Sequence, residues 1–253
     1  MSRLFYFLLV LAAPIIVCGQ SKVIELKHAD ELQGRIVNGE EVRELIRNVH
    51  FLQPAEGGGF VRVWCDRALQ YRTQNKIELF GNVKIIRDSI TITSQEGTYF
   101  GDTRFVEVRT GVKLVRGRSV LTAKTGKYYS DEKRSHFTTN VKLVDSMSTV
   151  TCDTMIYFER DARSIAVGNV RLDDVENAST VFGDSLLHFE QRRFTLVPKN
   201  PRLLQIDTAA DGAIDSMLVT SRSMESYQDP TQRFVALDSV KIARGDLAAT
   251  AGR

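Results

Sequence analysis

A four-residue phrase recurs through this chain at nearly constant spacing, and that recurrence constrains the fold more than any other feature. The phrase is Asn or Gly, Val, a basic residue, then Leu or Ile: Asn82-Val83-Lys84-Ile85, Gly111-Val112-Lys113-Leu114, Asn140-Val141-Lys142-Leu143 and Asn169-Val170-Arg171-Leu172. Looser copies stand at Asn48-Val49-His50-Phe51, Asn200-Pro201-Arg202-Leu203 and Ser239-Val240-Lys241-Ile242. From Val83 to Val170 each step is 29 residues, and the flanking steps are longer, so insertions fall at the two ends. A fixed period in this range implies stacked supersecondary units, each completed by its neighbours.

Register is kept inside each unit. Eleven residues after the phrase valine comes a small residue, Ser94, Ala123 or Cys152, with Cys65 and Gly183 in the same column after local insertions. Six residues beyond each lies an aromatic: Tyr71, Phe100, Tyr129, Phe158, Phe189; a later unit offers Ser221 and Tyr227. Two residues before the small column lies an aliphatic (Val63, Ile92, Leu121, Val150, Val181), and four before the next phrase another apolar residue (Leu79, Val108, Phe137, Ala166, Val197). Positions two apart share one face of a strand.

The units are therefore β. Ser89–Ser94, Ser119–Ala123 and Thr149–Cys152 are rich in β-branched residues with partial two-residue alternation. The Asn or Gly opening each phrase suits a backbone position with positive φ. Aromatics at equivalent places in successive units are expected to form ladders across neighbouring strands.

With 253 residues, 43% of them hydrophobic, the chain can bury a continuous core, elongated because it is built by stacking. The net charge of +3 from 34 basic and 31 acidic residues gives no electrostatic case for nucleic acid. The recurring basic residue (Lys84, Lys113, Lys142, Arg171, Arg202, Lys241) reads as a solvated strand face. Residues 1–19 read as a cleavable signal peptide: Arg3, an apolar run from Leu4 to Val17 too short to span a bilayer comfortably, and a small-residue site at Val17-Cys18-Gly19. The competing lipoprotein reading, with Cys18 acylated, asks for a small residue before the cysteine, and Val17 is not small. Export across the inner membrane follows. Cys65 and Cys152 then remain; both occupy the small column three units apart, which favours free, buried thiols over a disulfide or a shared metal.

Catalytic patterns are almost absent. The histidines (His28, His50, His136, His188) have no paired metal-ligand spacing. Gly183-Asp184-Ser185-Leu186 spells a hydrolase string, but no histidine lies downstream of His188 to act as base, and Gly183 already belongs to the small column. Asp173-Asp174 reads as a pair in a loop between repeats. No enzyme, cofactor or metal is expected.

The phrase, a strand ending in a small residue plus Asp (Cys65-Asp66, Cys152-Asp153, Gly183-Asp184) and the following aromatic together resemble the OstA-like family, the organic-solvent-tolerance or lipopolysaccharide-transport periplasmic proteins. The resemblance runs from about His28-Ala29-Asp30 to the C-terminus. It implies an all-β, elongated β-jellyroll of antiparallel strands whose two sheets enclose an apolar interior. It also implies a non-enzymatic function: binding lipopolysaccharide or a related glycolipid by its acyl chains, and joining head to tail with itself or other OstA-like domains. The same domain forms the soluble part of an outer-membrane assembly barrel, which is a further implied partner.

On this reading residues 20–208 form the jellyroll repeats and 209–253 a further partial repeat, with a loop or joint near Ala209-Ala210-Asp211-Gly212. Val83, Ile85, Ile92, Val108, Leu114, Leu121, Phe137, Leu143, Val150 and Val170 are the candidate lining of a lipid-binding groove. An acyl chain gains about 0.8 kcal/mol per methylene on leaving water, so a continuous apolar trough would remove the barrier to crossing an aqueous compartment. The terminal strands are templates for β-augmentation. Ala251 falls in the small column after Val240, so the chain stops before the aromatic of that unit; either the last strand awaits a partner or the native protein continues. Two alternatives stay open from sequence: a parallel β-helix, as an adhesin or polysaccharide-acting enzyme, and a structural scaffold with a filled interior and no lipid.

Overall fold

The computed structural model describes residues 24–55, 58–175, 177–208, 214–228 and 233–252. The expected signal segment, Cys18 and the interruption at 209–212 lie outside the described residues. The chain runs through β1 (Glu25–His28), β2 (Glu31–Val37), β3 (Glu40–Pro54), β4 (Phe60–Tyr71), β5 (Lys76–Arg87), β6 (Ile90–Phe100) and β7 (Phe105–Arg109). It continues with β8 (Val112–Arg116), β9 (Ser119–Ala123), β10 (Thr125–Tyr129), β11 (Arg134–Val144), β12 (Ser148–Phe158), β13 (Arg163–Asp174) and β14 (Ser179–Phe189). The last strands are β15 (Phe194–Lys199), β16 (Arg202–Thr208), β17 (Ile214–Thr220), β18 (Ser223–Tyr227), β19 (Arg233–Leu237), β20 (Val240–Arg244) and β21 (Leu247–Ala251).

The long strands are each bent once. In β3, β4, β5, β11 and β13 the pairing register breaks at residues 46–49, 64–67, 80–83, 138–141 and 167–170. The two halves of a bent strand then belong to two sheets. One sheet runs β1-β3-β4-β5-β6-β8-β9-β11-β12-β13-β14-β16-β17-β20-β21. The other runs β2-β3-β4-β5-β6-β7-β10-β11-β12-β13-β14-β15-β18-β19. Every pairing is antiparallel among the described residues, so the fold is an elongated jellyroll and the parallel β-helix alternative falls.

The bend explains the phrase. Its first residue and the one before it carry positive φ: Gly81 and Asn82 (72° and 45°), Thr110 and Gly111 (66° and 84°), Thr139 and Asn140 (67° and 54°), Gly168 and Asn169 (78° and 48°). Two successive left-handed residues form a corner that turns the strand from one sheet into the other, and Asn and Gly bear that conformation at least cost. The phrase therefore opens at a bulge within a strand, not at a chain-reversing turn. The corner Asn donates its side-chain amide to the Asp that follows the small column: Asn82 to Asp66 at 2.9 Å, Asn169 to Asp153 at 2.9 Å and Asn200 to Asp184 at 2.6 Å. The small column is explained in the same place. Across the ladder the phrase valine lies opposite it in Val49–Cys65, Val83–Ser94, Val112–Ala123, Val141–Cys152, Val170–Gly183 and Val240–Ala251. Gly183 has no room for a side chain, since a Cβ there would stand 2.4 Å from Val197 Cγ1.

The main core lies between the two sheets and is one continuous cluster from Ile24 to Met224, with a smaller cluster of Val42, Leu69 and Tyr71 beside it. Cys65 and Cys152 are buried free thiols, and burial pushes them up to about 12 and about 11. The aromatic column faces outward on the second sheet, but its members do not stack on one another directly. Between them stand the first residues of the intervening strands, giving Tyr71-Lys76-Phe100-Phe105-Tyr129-Arg134-Phe158-Arg163-Phe189-Phe194-Tyr227. Lys76 lies 4.1 Å from the Tyr71 ring centroid, Arg134 4.3 Å from Tyr129 and Arg163 4.6 Å from Phe158, while Phe100-Phe105-Tyr129 and Phe189-Phe194-Tyr227 meet ring to ring, so the ladder combines cation–π and ring–ring contacts. The expected loop at Asp173-Asp174 is instead the end of β13: Arg171 and the Thr180 hydroxyl donate to Asp173, and Asp174 accepts from the Asn177 turn.

Candidate functional site

The ten candidate lining residues all face the space between the sheets. Val83, Ile85, Val108, Leu121, Phe137, Val150 and Val170 are buried in the central cluster, and Ile92, Leu114 and Leu143 pack against it. They come from both sheets: Val108 on β7 and Phe137 in the first half of β11 face the others across the interior. That placement follows from the two-residue period on each side of a corner. The phrase's basic residues point the other way. Lys84, Lys113, Lys142, Arg171, Arg202 and Lys241 are exposed and line up across the first sheet with Thr93, Thr122, Thr151, Phe182 and Thr220 between them.

Most of the interior is filled by side chains. An apolar cavity of about 70 Å³ opens where the sheets' outer edges meet, on the side away from the corners. Val61, Ile85, Ile90, Ile92, Val106 and Leu114 make its walls, and Gln53, Arg87, Tyr99, Arg104, Tyr128 and Glu159 stand at its rim. Ligand pockets begin at about 300 Å³, so this space holds no acyl chain without movement of the sheets.

The rim belongs to a repeated polar seam. From the first sheet Gln53, Arg87, Arg116 and Asp145 each sit four residues after a phrase valine; from the second sheet Tyr99, Tyr128, Tyr157 and His188 each sit one residue before the aromatic column. They meet in order. Gln53 donates to the Tyr99 hydroxyl at 2.6 Å, Arg87 donates to the Tyr128 hydroxyl, and Arg116 donates to the Tyr157 hydroxyl at 2.6 Å. Asp145 lies near enough for its charge to act on His188. Glutamates add a third member: the Glu159 charge acts on Tyr128, and Arg116 reaches Glu190 at 3.0 Å. Burial, then the Glu159 charge, pushes the Tyr128 hydroxyl up to about 12, so it stays protonated. Burial alone would lower the Arg116 guanidinium, but Tyr157 and Glu190 together raise it. Burial lowers His188, opposed by Glu190 and Asp145, and its Nδ1 lies 3.0 Å from the Thr195 hydroxyl.

Sequence reasoning passed over this seam. The signal was present, since Arg87 and Arg116 are one period apart, as are Tyr99, Tyr128 and Tyr157. It was hidden because the two columns are polar and become partners only when the corner folds one half-strand over the other. Among the described residues no group of three or more His, Cys, Asp and Glu side chains could hold a metal ion. The GDSL serine, Ser185, lies on β14 opposite Lys199.

Bent antiparallel hairpins, an apolar interior and a polar seam define an elongated jellyroll of the kind that encloses apolar groups between its sheets. A family model described as OstA-like protein matches residues 20–180, and the chain belongs to that family. Among solved structures, LptH of Pseudomonas aeruginosa, the LptA-homologous periplasmic component of its lipopolysaccharide transport device, matches with 16% identity and a TM-score of 0.40, over 43% of this chain and 82% of that one. No curated protein matches the chain.

Proposed function

We propose that this chain is a non-enzymatic periplasmic protein that binds lipopolysaccharide or a related glycolipid, shields its acyl chains between the two sheets and so contributes to outer-membrane assembly. The observation that carries the reading is the unbroken inter-sheet apolar column in a chain of the OstA-like family. Because successive units present the same surface, a chain lying along that column meets similar surroundings at each step, which favours sliding over trapping. The terminal strands β1, β2, β19 and β21 have one unpaired side among the described residues and suit head-to-tail contact with another copy, a related domain or the soluble domain of an outer-membrane assembly barrel.

The scaffold reading draws on one specific observation, the largely filled interior. Photo-crosslinking separates the two. A photoreactive residue at Ile92, Leu121 or Val150, with exposed Lys84 and Lys113 as controls, is expected to give adducts with purified lipopolysaccharide at the inward positions alone. Folded protein giving no adduct at any inward position would establish the scaffold.

A further inference from the structure

The role assigned here to the seam deepens the glycolipid reading and rests on it. The corners are closed by continuous backbone and by Asn–Asp pairs, whereas the seam is held by side chains: among the described residues no backbone hydrogen bond crosses it. Any parting of the sheets wide enough for an acyl chain therefore begins at the seam. Two of its pairs set a guanidinium against a phenol. Arg87 stands at the rim of the apolar cavity and across the seam meets a neutral phenol, while Arg116, two strands further along the same edge, meets a phenol and the Glu190 carboxylate. A guanidinium forms stronger, two-pronged bonds with a phosphate than with a hydroxyl.

We propose that Arg87 and Arg116 are recognition residues for the phosphate groups of an acylated glycolipid, engaging phosphate oxygens in exchange for Tyr128 and Tyr157 as the seam parts. The acyl chains then lie inward against Ile85, Ile92 and Leu114, and the charged headgroup stays at the rim. β5 and β8 are separated by β6 alone, and Arg87 and Arg116 both pair with Ile90, which puts their backbones on one edge about 9.5 Å apart, two interstrand steps. One headgroup bearing two anions can hold both, or a single anion can pass from one to the next. On the first sheet's side the seam limits the station to these two positions, because Gln53 on one side is uncharged and Asp145 on the other repels phosphate; the second sheet's rim cation, Arg104, is held by Asp131 at 2.9 Å. The two sites differ: Glu190 already holds Arg116, so phosphate must displace it there, while among the described residues the carboxylate paired with Arg87 is Asp88, at 3.7 Å on the exposed turn. Arg87 is therefore the stronger determinant.

The test measures equilibrium binding of a fluorescent bis-phosphorylated acylated disaccharide and of the same molecule after enzymatic removal of its phosphates. The wild-type protein is expected to prefer the phosphorylated form, and Arg87→Gln to weaken that form about tenfold with the dephosphorylated form unchanged. Arg116→Gln should act in the same direction, less strongly. Tyr128→Phe, which removes the hydroxyl competing for Arg87, should tighten the phosphorylated form by about threefold or more. Equal affinity of wild type for both forms, or Tyr128→Phe weakening binding as Arg87→Gln does, would overturn the proposal while leaving acyl binding intact. Binding of neither form by folded wild type would overturn the glycolipid reading itself and this inference with it.

Discussion

At the scale of single residues the corner is the most demanding place in the molecule. Gly81 has φ of +72°, and a Cβ there would stand 2.4 Å from Asp66 Oδ2 and 3.1 Å from its Cγ. Asp66 cannot swing away freely, because it accepts the Asn82 amide that holds the same corner. Gly111 sits at the next corner, as the second of its two left-handed residues where Gly81 is the first, with φ of +84°, and a Cβ there would meet nothing within 4 Å. The two glycines separate backbone cost from steric cost. Gly111→Ala should lower stability by about 1 kcal/mol from backbone strain alone, and Gly81→Ala by about 2–4 kcal/mol from strain plus the clash. Urea unfolding of both variants measures the difference. Adding Asp66→Ala to Gly81→Ala should recover about 1 kcal/mol of the loss, since it removes the clashing group; equal effects of Gly81→Ala and Gly111→Ala would refute the steric account.

At the scale of the element, the repeat is a bent hairpin whose corner is clamped from the neighbouring strand, and the clamp is not the same in every copy. Asp66, Asp153 and Asp184 each hold the Asn sixteen residues on. At the corner of Asn140 the corresponding position is Lys124, whose backbone bonds Thr139 but whose side chain is a cation. Lys124→Asp would bring the same carboxylate to the same amide. The exposed bond should add about 0.5–1 kcal/mol, read as a higher urea midpoint, and an unchanged or lower midpoint would show that the clamp contributes nothing at this corner. Much of this element was legible in the sequence. Period, strand character and inward columns came from spacing alone, because side-chain direction alternates whatever the partner strand is. The corner was half legible: Asn82 and Gly111 signalled positive φ, but a positive φ also suits a tight turn, and only pairing on both sides of residues 80–83 shows a strand that continues into a second sheet. Asp173 and Asp174 were misplaced for a related reason. Adjacent aspartates favour loops, yet Arg171 and Thr180 hold Asp173 at the end of β13.

At the scale of the whole molecule, the core is a single column built up from contacts between neighbouring hairpins, and this explains what the sequence concealed. Inward positions repeat every 29 residues and could be named from spacing. Whether they line a trough or fill a core depends on how closely the two sheets approach, which no one column specifies; the seam pairs Arg87–Tyr128 and Arg116–Tyr157 set that approach at one edge, and their partners lie 41 residues apart in sequence. A stack of this kind makes a sharp prediction about its own length. Thr110-Gly111 and Thr139-Asn140 have nearly the same backbone, with φ of 66° and 84° against 67° and 54°. Deleting residues 112–140 therefore joins Gly111 to Val141 at an equivalent corner and brings the second half of β11 beside β6, where Leu143 would meet Ile92 as Leu114 does now. The shortened chain should fold, keep its β circular dichroism and lose about 10 Å of maximum dimension in solution scattering, two interstrand steps. A deletion of 14 residues from Val112 removes half a period and joins the corner directly to Gly126 of β10, so every later half-strand would have to exchange sheets and its corner would fall out of line with the others, which should abolish cooperative unfolding. If the 29-residue deletion also fails to fold, the molecule depends on long-range closure of the entire jellyroll, and stability cannot be assigned hairpin by hairpin.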